Sequence, residues 1–144
     1  MLKSYSINPI GVVRKDDDGA RIEIFDEYTD GLLGLEGFSH IYVFYWFDQN
    51  DTPEKRKTLQ VHPRKDPGNP LTGVFATHSP VRPNLIALTR CKIVAITGHI
   101  IEIEDLDAID DSPVIDIKCY IPPSDGDEGV RLPDWVNMNR KDTH

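Results

Sequence analysis

The segment Gly73-Val-Phe-Ala-Thr-His-Ser-Pro-Val-Arg-Pro-Asn84 crowds an imidazole, hydroxyls, an amide and a guanidinium between two prolines. Proline locks φ and drives the residue before it into an extended conformation, so Ser79 and Arg82 are held in place. That suits a preorganised polar site, and it equally suits a rigid surface loop whose Ser and Asn satisfy their own backbone. A second cluster is Leu106-Asp-Ala-Ile-Asp-Asp-Ser-Pro-Val-Ile-Asp-Ile-Lys118, an acidic turn running into a strand. There Asp116 and Lys118 alternate with Ile115 and Ile117, share one face and are spaced to form a small ion pair. A third is Asp48-Gln49, polar residues at the end of an apolar run, where a barrel mouth or a simple loop would begin. His40, His62, His78 and His99 have no ligand spacing, and Cys91 and Cys119 form no paired motif, so neither a metal site nor a disulfide framework is expected. Nucleophile-elbow, phosphate-loop and dinucleotide signatures are missing as well.

The elements that must position these residues read as β. Residues 20–25 alternate apolar with charged side chains up to Phe25, the period of a half-exposed strand. Ser39 to Phe47 is a continuous run of aromatic and β-branched residues and reads as the most buried strand. Leu85–Ile96 and Ile100–Leu106 flank a Gly98 turn and should pair antiparallel. Val114–Tyr120 forms a further strand that stops before Pro122-Pro123. Thr29–Gly37 carries Gly31, Gly34 and Gly37, which permit one helical turn with Asp30 as N-cap. Asp48–Pro70 is polar and proline-rich, mainly loop, with room for a short strand at 58–61. Short strands separated by Gly and Pro imply an all-β fold, a barrel or sandwich.

Lys and Arg total 16 of 144 residues against 24 Asp and Glu, a net charge of −8. That balance opposes indiscriminate binding to nucleic acid. It leaves a local basic patch, Lys55-Arg56-Lys57 with Arg64-Lys65, able to grip an RNA backbone or simply to be solvated. Hydrophobic residues make up 39% of the chain, and no apolar run approaches the ~18 residues of a membrane span. The N-terminus has no signal-peptide core, so a cytoplasmic location with no membrane partner is expected.

The two polar segments resemble the TrmO family (TsaA-like, formerly YaeB-like), whose members carry GVFATRSPxRPNPIG and, later, DGTPVxDIKPY. Here the matching stretches are Gly73-Val-Phe-Ala-Thr-His-Ser-Pro-Val-Arg-Pro-Asn-Leu-Ile-Ala87 and Asp110-Asp-Ser-Pro-Val-Ile-Asp-Ile-Lys-Cys-Tyr120. Asn8-Pro-Ile-Gly-Val12 and Gly34-Leu-Glu-Gly-Phe-Ser-His-Ile41 also fit, so the likeness runs nearly to Pro122. His78 stands where the family has Arg, Asp48 where it often has His, Leu85 and Ala87 where it has Pro and Gly, and Cys119 where it has Pro. The family's Pro-Arg-Gln element after the first strand is absent.

The polar run Ser124-Asp-Gly-Asp-Glu-Gly129 makes residues 123–144 read as an exposed C-terminal arm whose only large anchor is Trp135, and the resemblance implies a small single-sheet β-barrel over residues 1–122. It implies a homodimer that binds S-adenosylmethionine and methylates N6 of threonylcarbamoyl-adenosine beside a tRNA anticodon. Cofactor contacts would fall on Asp48, Gln49, His78, Leu88, Ile109, Asp110, Asp111 and Ser112. Asp116, ahead of His78, would be the proton acceptor. Arg82, Asn84 and Lys118 would face the substrate together with Lys55, Arg56 and Lys57. Loss of the Arg at position 78 removes a fixed carboxylate fork. That loss favours a module that binds S-adenosylmethionine without transferring methyl, and the net charge of −8 favours a small-molecule methyltransferase.

Overall fold

The computed structural model describes residues 2–123 and 127–138. Strands β1 (Gly11–Asp16) and β2 (Gly19–Ile24) form a hairpin in which Gly11 opposes Ile24 and Asp16 opposes Gly19. Gly19 takes φ +126°, a turn conformation open to glycine at no steric cost. Alternation alone does not reveal β1, because Val12-Val13 is a short apolar pair running into a charged stretch. Pairing with β2 makes it a strand and sends Val13 fully into the core. Gly11 is required there, since a Cβ would collide with the carbonyl oxygen of Glu23.

The chain then folds as two consecutive 3₁₀ segments, Asp26–Leu32 and Leu35–Gly37, where one helical turn was expected. Phe25, not Asp30, holds the N-cap position, and no side chain caps it. Gly34 at φ +87° separates the two segments. Strand β3 (His40–Trp46) follows and alternates, with Ile41, Val43 and Tyr45 inward. Its outward aromatics Tyr42, Phe44 and Trp46 are half-buried, so the continuous apolar run is only half core.

Helix α1 (Pro53–Lys57) is a single turn capped by Thr52, whose side chain accepts from the Lys55 N–H at 3.3 Å. Strands β4 (Gln60–Val61) and β5 (Thr72–Gly73) make a small separate ribbon. Strand β6 (Ile86–Thr97) and β7 (Ile100–Glu104) form the expected hairpin, with Gly98 at φ +60°. Strand β7 ends earlier than expected because Asp105 turns the chain at φ +71°. Strand β8 (Pro113–Cys119) completes an antiparallel barrel in the order β1-β2-β7-β6-β3-β8.

Closure is partial at two seams. Strand β7 joins β6 only from Lys92↔Glu104 onward, and β1 meets β8 only at Gly11↔Val114 and Val12↔Pro113. Residues 86–91 of β6 and 115–119 of β8 therefore have, among the described residues, no ladder partner on one side.

The described tail packs against the barrel. Backbone N–H and C=O of Arg131 bond to Ser39 Oγ and Ser39 N at 2.6 and 2.9 Å. Tyr120 donates to Asp127 at 3.0 Å. In helix α2 (Asp134–Met138), Val136 is the buried anchor, at 0% exposure. Trp135 is 57% exposed and meets Phe38 edge-on at 6.3 Å.

Candidate functional site

The β6 seam is where the chemistry gathers. Phe47 N–H donates to Leu85 C=O at 2.9 Å and Ile93 N–H to Ser39 C=O at 2.8 Å, so odd-numbered residues of β6 bond toward β3. By antiparallel alternation the N–H and C=O of Leu88 point the other way, into the seam. Tyr45 and Thr89 join hydroxyls there at 3.1 Å, and burial pushes the Tyr45 phenol above its ordinary value. Seam and loops together provide a strand edge, a phenol and carboxylates around one opening.

Three loops wall this edge, each pinned by a different cation. The first is the turn Asp48–Asn50 that follows β3. Trp46 Nε1 donates to Asp51 at 3.1 Å, and Arg56 lies over the Trp46 ring at 5.5 Å. Arg56 Nε also donates to Pro83 C=O at 2.9 Å, tying this turn to the second loop. In that second loop, residues 74–84, Arg82 Nη1 sits 3.2 Å from each of the carbonyls of Val74, Thr77 and Ser79. The third is the turn at residues 106–112. Lys15 Nζ donates to the carbonyls of Leu106 and Ala108, both at 2.9 Å. Ser112, 2% exposed, donates to Ile109 C=O at 2.8 Å, and Asp111 takes φ +70°.

Between these walls run three confluent cavities that share Pro80. The first, about 260 Å³, lies between Asp48, Gln49 and Asn50 on one side and Ile109 and Ser112 on the other. The second, about 410 Å³, follows the β6 edge past Leu88, His78 and Arg82. Asp107 and Tyr45 line both of these. The third, about 690 Å³, opens beyond His78 between the loops 61–65 and 76–81.

The structure thus brings together Asp48, Gln49, His78, Arg82, Leu88, Ile109 and Ser112 from sequence-distant segments. Others stand apart. Asp110 and Asp111 lie in the same turn but aim at β1, accepting from Lys15 N–H at 2.8 Å and from Arg14 respectively. Asp116 lines a separate apolar groove with Ile10, Tyr28, Leu32 and Phe38. A bulge at Ile115, between the pairs Tyr45↔Val114 and Phe44↔Asp116, sets it on the outer face. Asp116 and Lys118 do share that face, but they are not paired. Asp116 accepts from Ile117 N–H at 2.8 Å, and Lys118 lies 6.0 Å from the Phe44 ring. Asn84 is exposed, its carbonyl accepting from Ile86 N–H at 2.8 Å. Of the basic cluster, Arg56 is committed to Trp46 and Pro83, while Lys55 and Lys57 are exposed on α1. Sequence reasoning missed Tyr45, Thr89 and Asp107. Asp107 lay inside the acidic segment already singled out, and only the fold separates it from its neighbours.

Among the described residues no three His, Cys, Asp or Glu side chains converge as a metal site would need. Cys91 is buried, and burial pushes its thiol up to about 12, which leaves it protonated and inert.

Residues 4–126 match the family model of the tRNA-methyltransferase O N-terminal domain. The chain belongs to that family. A probable S-adenosyl-L-methionine-binding protein of Methanocaldococcus jannaschii is 48% identical over 116 residues, 81% of this chain and 92% of the relative. The mouse tRNA (adenine(37)-N6)-methyltransferase is 37% identical over 112 residues, 78% of this chain but 25% of the mouse protein. A crystal structure of TrmO from P. aeruginosa superposes with a TM-score of 0.64 at 25% identity. The match covers 94% of this chain and 63% of that one, so the likeness to this larger family member extends over part of its length. These matches agree with the family and the all-β barrel that the motifs imply.

Proposed function

We propose that this protein is an S-adenosylmethionine-dependent methyltransferase that acts on N6 of adenosine beside a tRNA anticodon, with the threonylcarbamoyl form as its substrate. The carrying observation is the confluence at Pro80: one pocket with a free strand edge and carboxylates opens directly into a second groove beside His78. The names of the archaeal and mouse relatives support the same reading.

The residues present fit the cofactor. Leu88 offers a backbone donor and acceptor pair at the seam, which matches an adenine edge. Asp48 and Gln49 offer acceptors and donors for hydroxyls or an ammonium group. Asp48 and Asp107 give the pocket negative charge, which would favour a cationic sulfonium by direct Coulomb attraction. When bound, S-adenosylmethionine supplies an electrophilic methyl group on a positively charged sulfur.

What the chain must then do is align and exclude water, since in-line transfer draws most of its acceleration from orientation in a dry pocket. His78, which lines both the cofactor pocket and the outer groove, is the residue we assign to take the proton that N6 gives up. Asp116, on the far groove, is not brought to that position within one chain. A homodimer in the cytoplasm, the second copy completing the pocket, is the assembly that goes with this reading.

The test is labelled methyl transfer to tRNA with and without the threonylcarbamoyl group, followed by nucleoside analysis. Label on N6 of the modified nucleoside is expected, and D48A and S112A should weaken cofactor binding in a thermal-shift assay. An exposed imidazole in place of the family arginine favours a second reading, binding without transfer. Cofactor binding with no S-adenosylhomocysteine formed would select that alternative.

A further inference from the structure

The 690 Å³ groove beyond His78 has a construction of its own. Its two walls are joined at the base by the β4–β5 ribbon, with Gln60↔Gly73 and Val61↔Thr72 paired and Val74 N–H bonded to Leu59 C=O at 2.9 Å. Val61, Pro63, Pro80 and Val81 supply apolar surface, and Arg64 and Lys65 stand at its rim. Both cations sit in the left-handed region, at φ +60° and +56°. A non-glycine residue there is uncommon, and a consecutive pair persists only when its surroundings enforce it. They do so here. Lys65 N–H donates to His62 C=O at 3.1 Å, Asp66 N–H to Pro63 C=O at 3.2 Å, and Asn69 Nδ2 to Pro63 C=O at 2.8 Å. His62 Nδ1 closes the loop onto Asn69 C=O at 2.9 Å.

Charge in this loop is left available. Asp66, the neighbouring acid, turns its carboxylate to Gly68 N–H at 2.9 Å. Among the described residues, no side-chain hydrogen bond or ion pair engages Arg64 or Lys65. Arg56 contrasts with them, held by an aromatic ring, a carbonyl and Asp51. Sequence alone joins all five cations in one basic cluster, and the structure separates them by where they point and what they already hold.

The geometry points to an acceptor subsite in this groove, one that seats an anionic nucleotide with its base along the valine and proline walls and its anionic group on Arg64 and Lys65. This rests on the reading that RNA is the methyl acceptor, and it deepens that reading. The groove shares Thr77, His78 and Pro80 with the proposed cofactor pocket, so a nucleotide seated there abuts the transfer position. Two anions share the required chemistry, a phosphodiester of the anticodon loop and the carboxylate of the threonylcarbamoyl group.

The decisive variant is R64N/K65N, because asparagine tolerates the left-handed region, so the backbone is kept while the cationic side chains are removed. Binding of an anticodon stem-loop RNA is read by fluorescence anisotropy across salt, beside methyl transfer and cofactor binding by calorimetry. We expect R64N/K65N to weaken RNA binding and raise its KM about tenfold while cofactor affinity stays unchanged. R64K/K65R should restore most of the loss. If a phosphodiester is the anion, the slope of log K against log salt falls by about 1 to 2 and modified and unmodified RNA suffer alike. A carboxylate partner would instead confine the loss to threonylcarbamoylated RNA. Unchanged RNA binding by R64N/K65N, or a larger loss from K55N/K57N, overturns the subsite and leaves the methyltransferase reading intact. Wild-type RNA binding that R64N/K65N abolishes, with no transfer in either protein, overturns the methyltransferase reading and keeps the subsite. No RNA binding by the wild type overturns both.

Discussion

The two incomplete seams of the barrel start from the same backbone situation and end as opposites. At β8 the unpaired edge borders an apolar groove of about 440 Å³, with Leu32, Leu35 and Phe38 across it from Ile117 and Cys119. The edge of β6 is faced by three polar loops whose conformations are held by Arg56, Arg82 and Lys15. An uncovered strand edge is an adhesive row of donors and acceptors. One seam opens on a groove walled by apolar side chains, while the other is fenced by cation-pinned loops that turn Asp48, Gln49, His78 and Asp107 toward the edge. Cofactor sites, on this comparison, need no special element. They need an unpaired edge whose surroundings carry polar groups and loops rigid enough to hold those groups in place.

The largest effect should come from testing the edge directly. Ala87 bonds toward β3 and Leu88 toward the seam, so A87P should unfold the barrel while L88P should remain folded. L88P should cost about two- to tenfold in cofactor affinity, the worth of one hydrogen bond. Equal melting temperatures for the two variants in circular dichroism would show the β6 register to be wrong.

The opposite seam offers the converse. Phe38 is 5% exposed, and F38A should lower stability by about 3–5 kcal/mol in denaturant titration. The melting shift produced by S-adenosylmethionine should persist in F38A. Its loss would mean that the apolar seam governs the polar one, and the contrast between them would collapse.

The smallest expected effect is a pH dependence near the tail. Burial, then the positive charges of Arg90 and Lys92, hold His40 below its ordinary value of 6.5, against the opposite pull of Asp127 and Asp105. Its Nδ1 shares a 2.7 Å hydrogen bond with Ser39 Oγ. A depressed histidine is neutral in the native state and takes up its proton more readily when unfolded. Stability should therefore be full above about pH 6.5 and decline as the pH falls from there toward the native value. H40N should flatten that decline in pH-dependent melts, and an unchanged slope would show that carboxylates alone carry it.

Much of the fold is legible in the residues. The period-two alternation of 20–24, the aromatic run at 40–46 and the Gly98 hairpin each specify a strand by local chemistry, and pleating forces the inward set. The resemblance carried by residues 73–87 and 110–120 was enough to indicate the family and its all-β barrel. Strand β1 was not legible, because two valines next to a run of charges acquire strand character only by pairing with β2. Neither was the division of labour among like residues. Asp107, Asp110 and Asp111 are equivalent in the sequence, yet one lines the pocket and two face β1. Asp116 leaves the site through a bulge that no pattern announces, and Arg56 and Arg64 part company by what each already binds. Local propensity and hydrophobic period are properties of neighbouring residues and can be read along the chain. The direction of a charged side chain is decided by partners tens of residues away, and only the closed barrel brings those partners together.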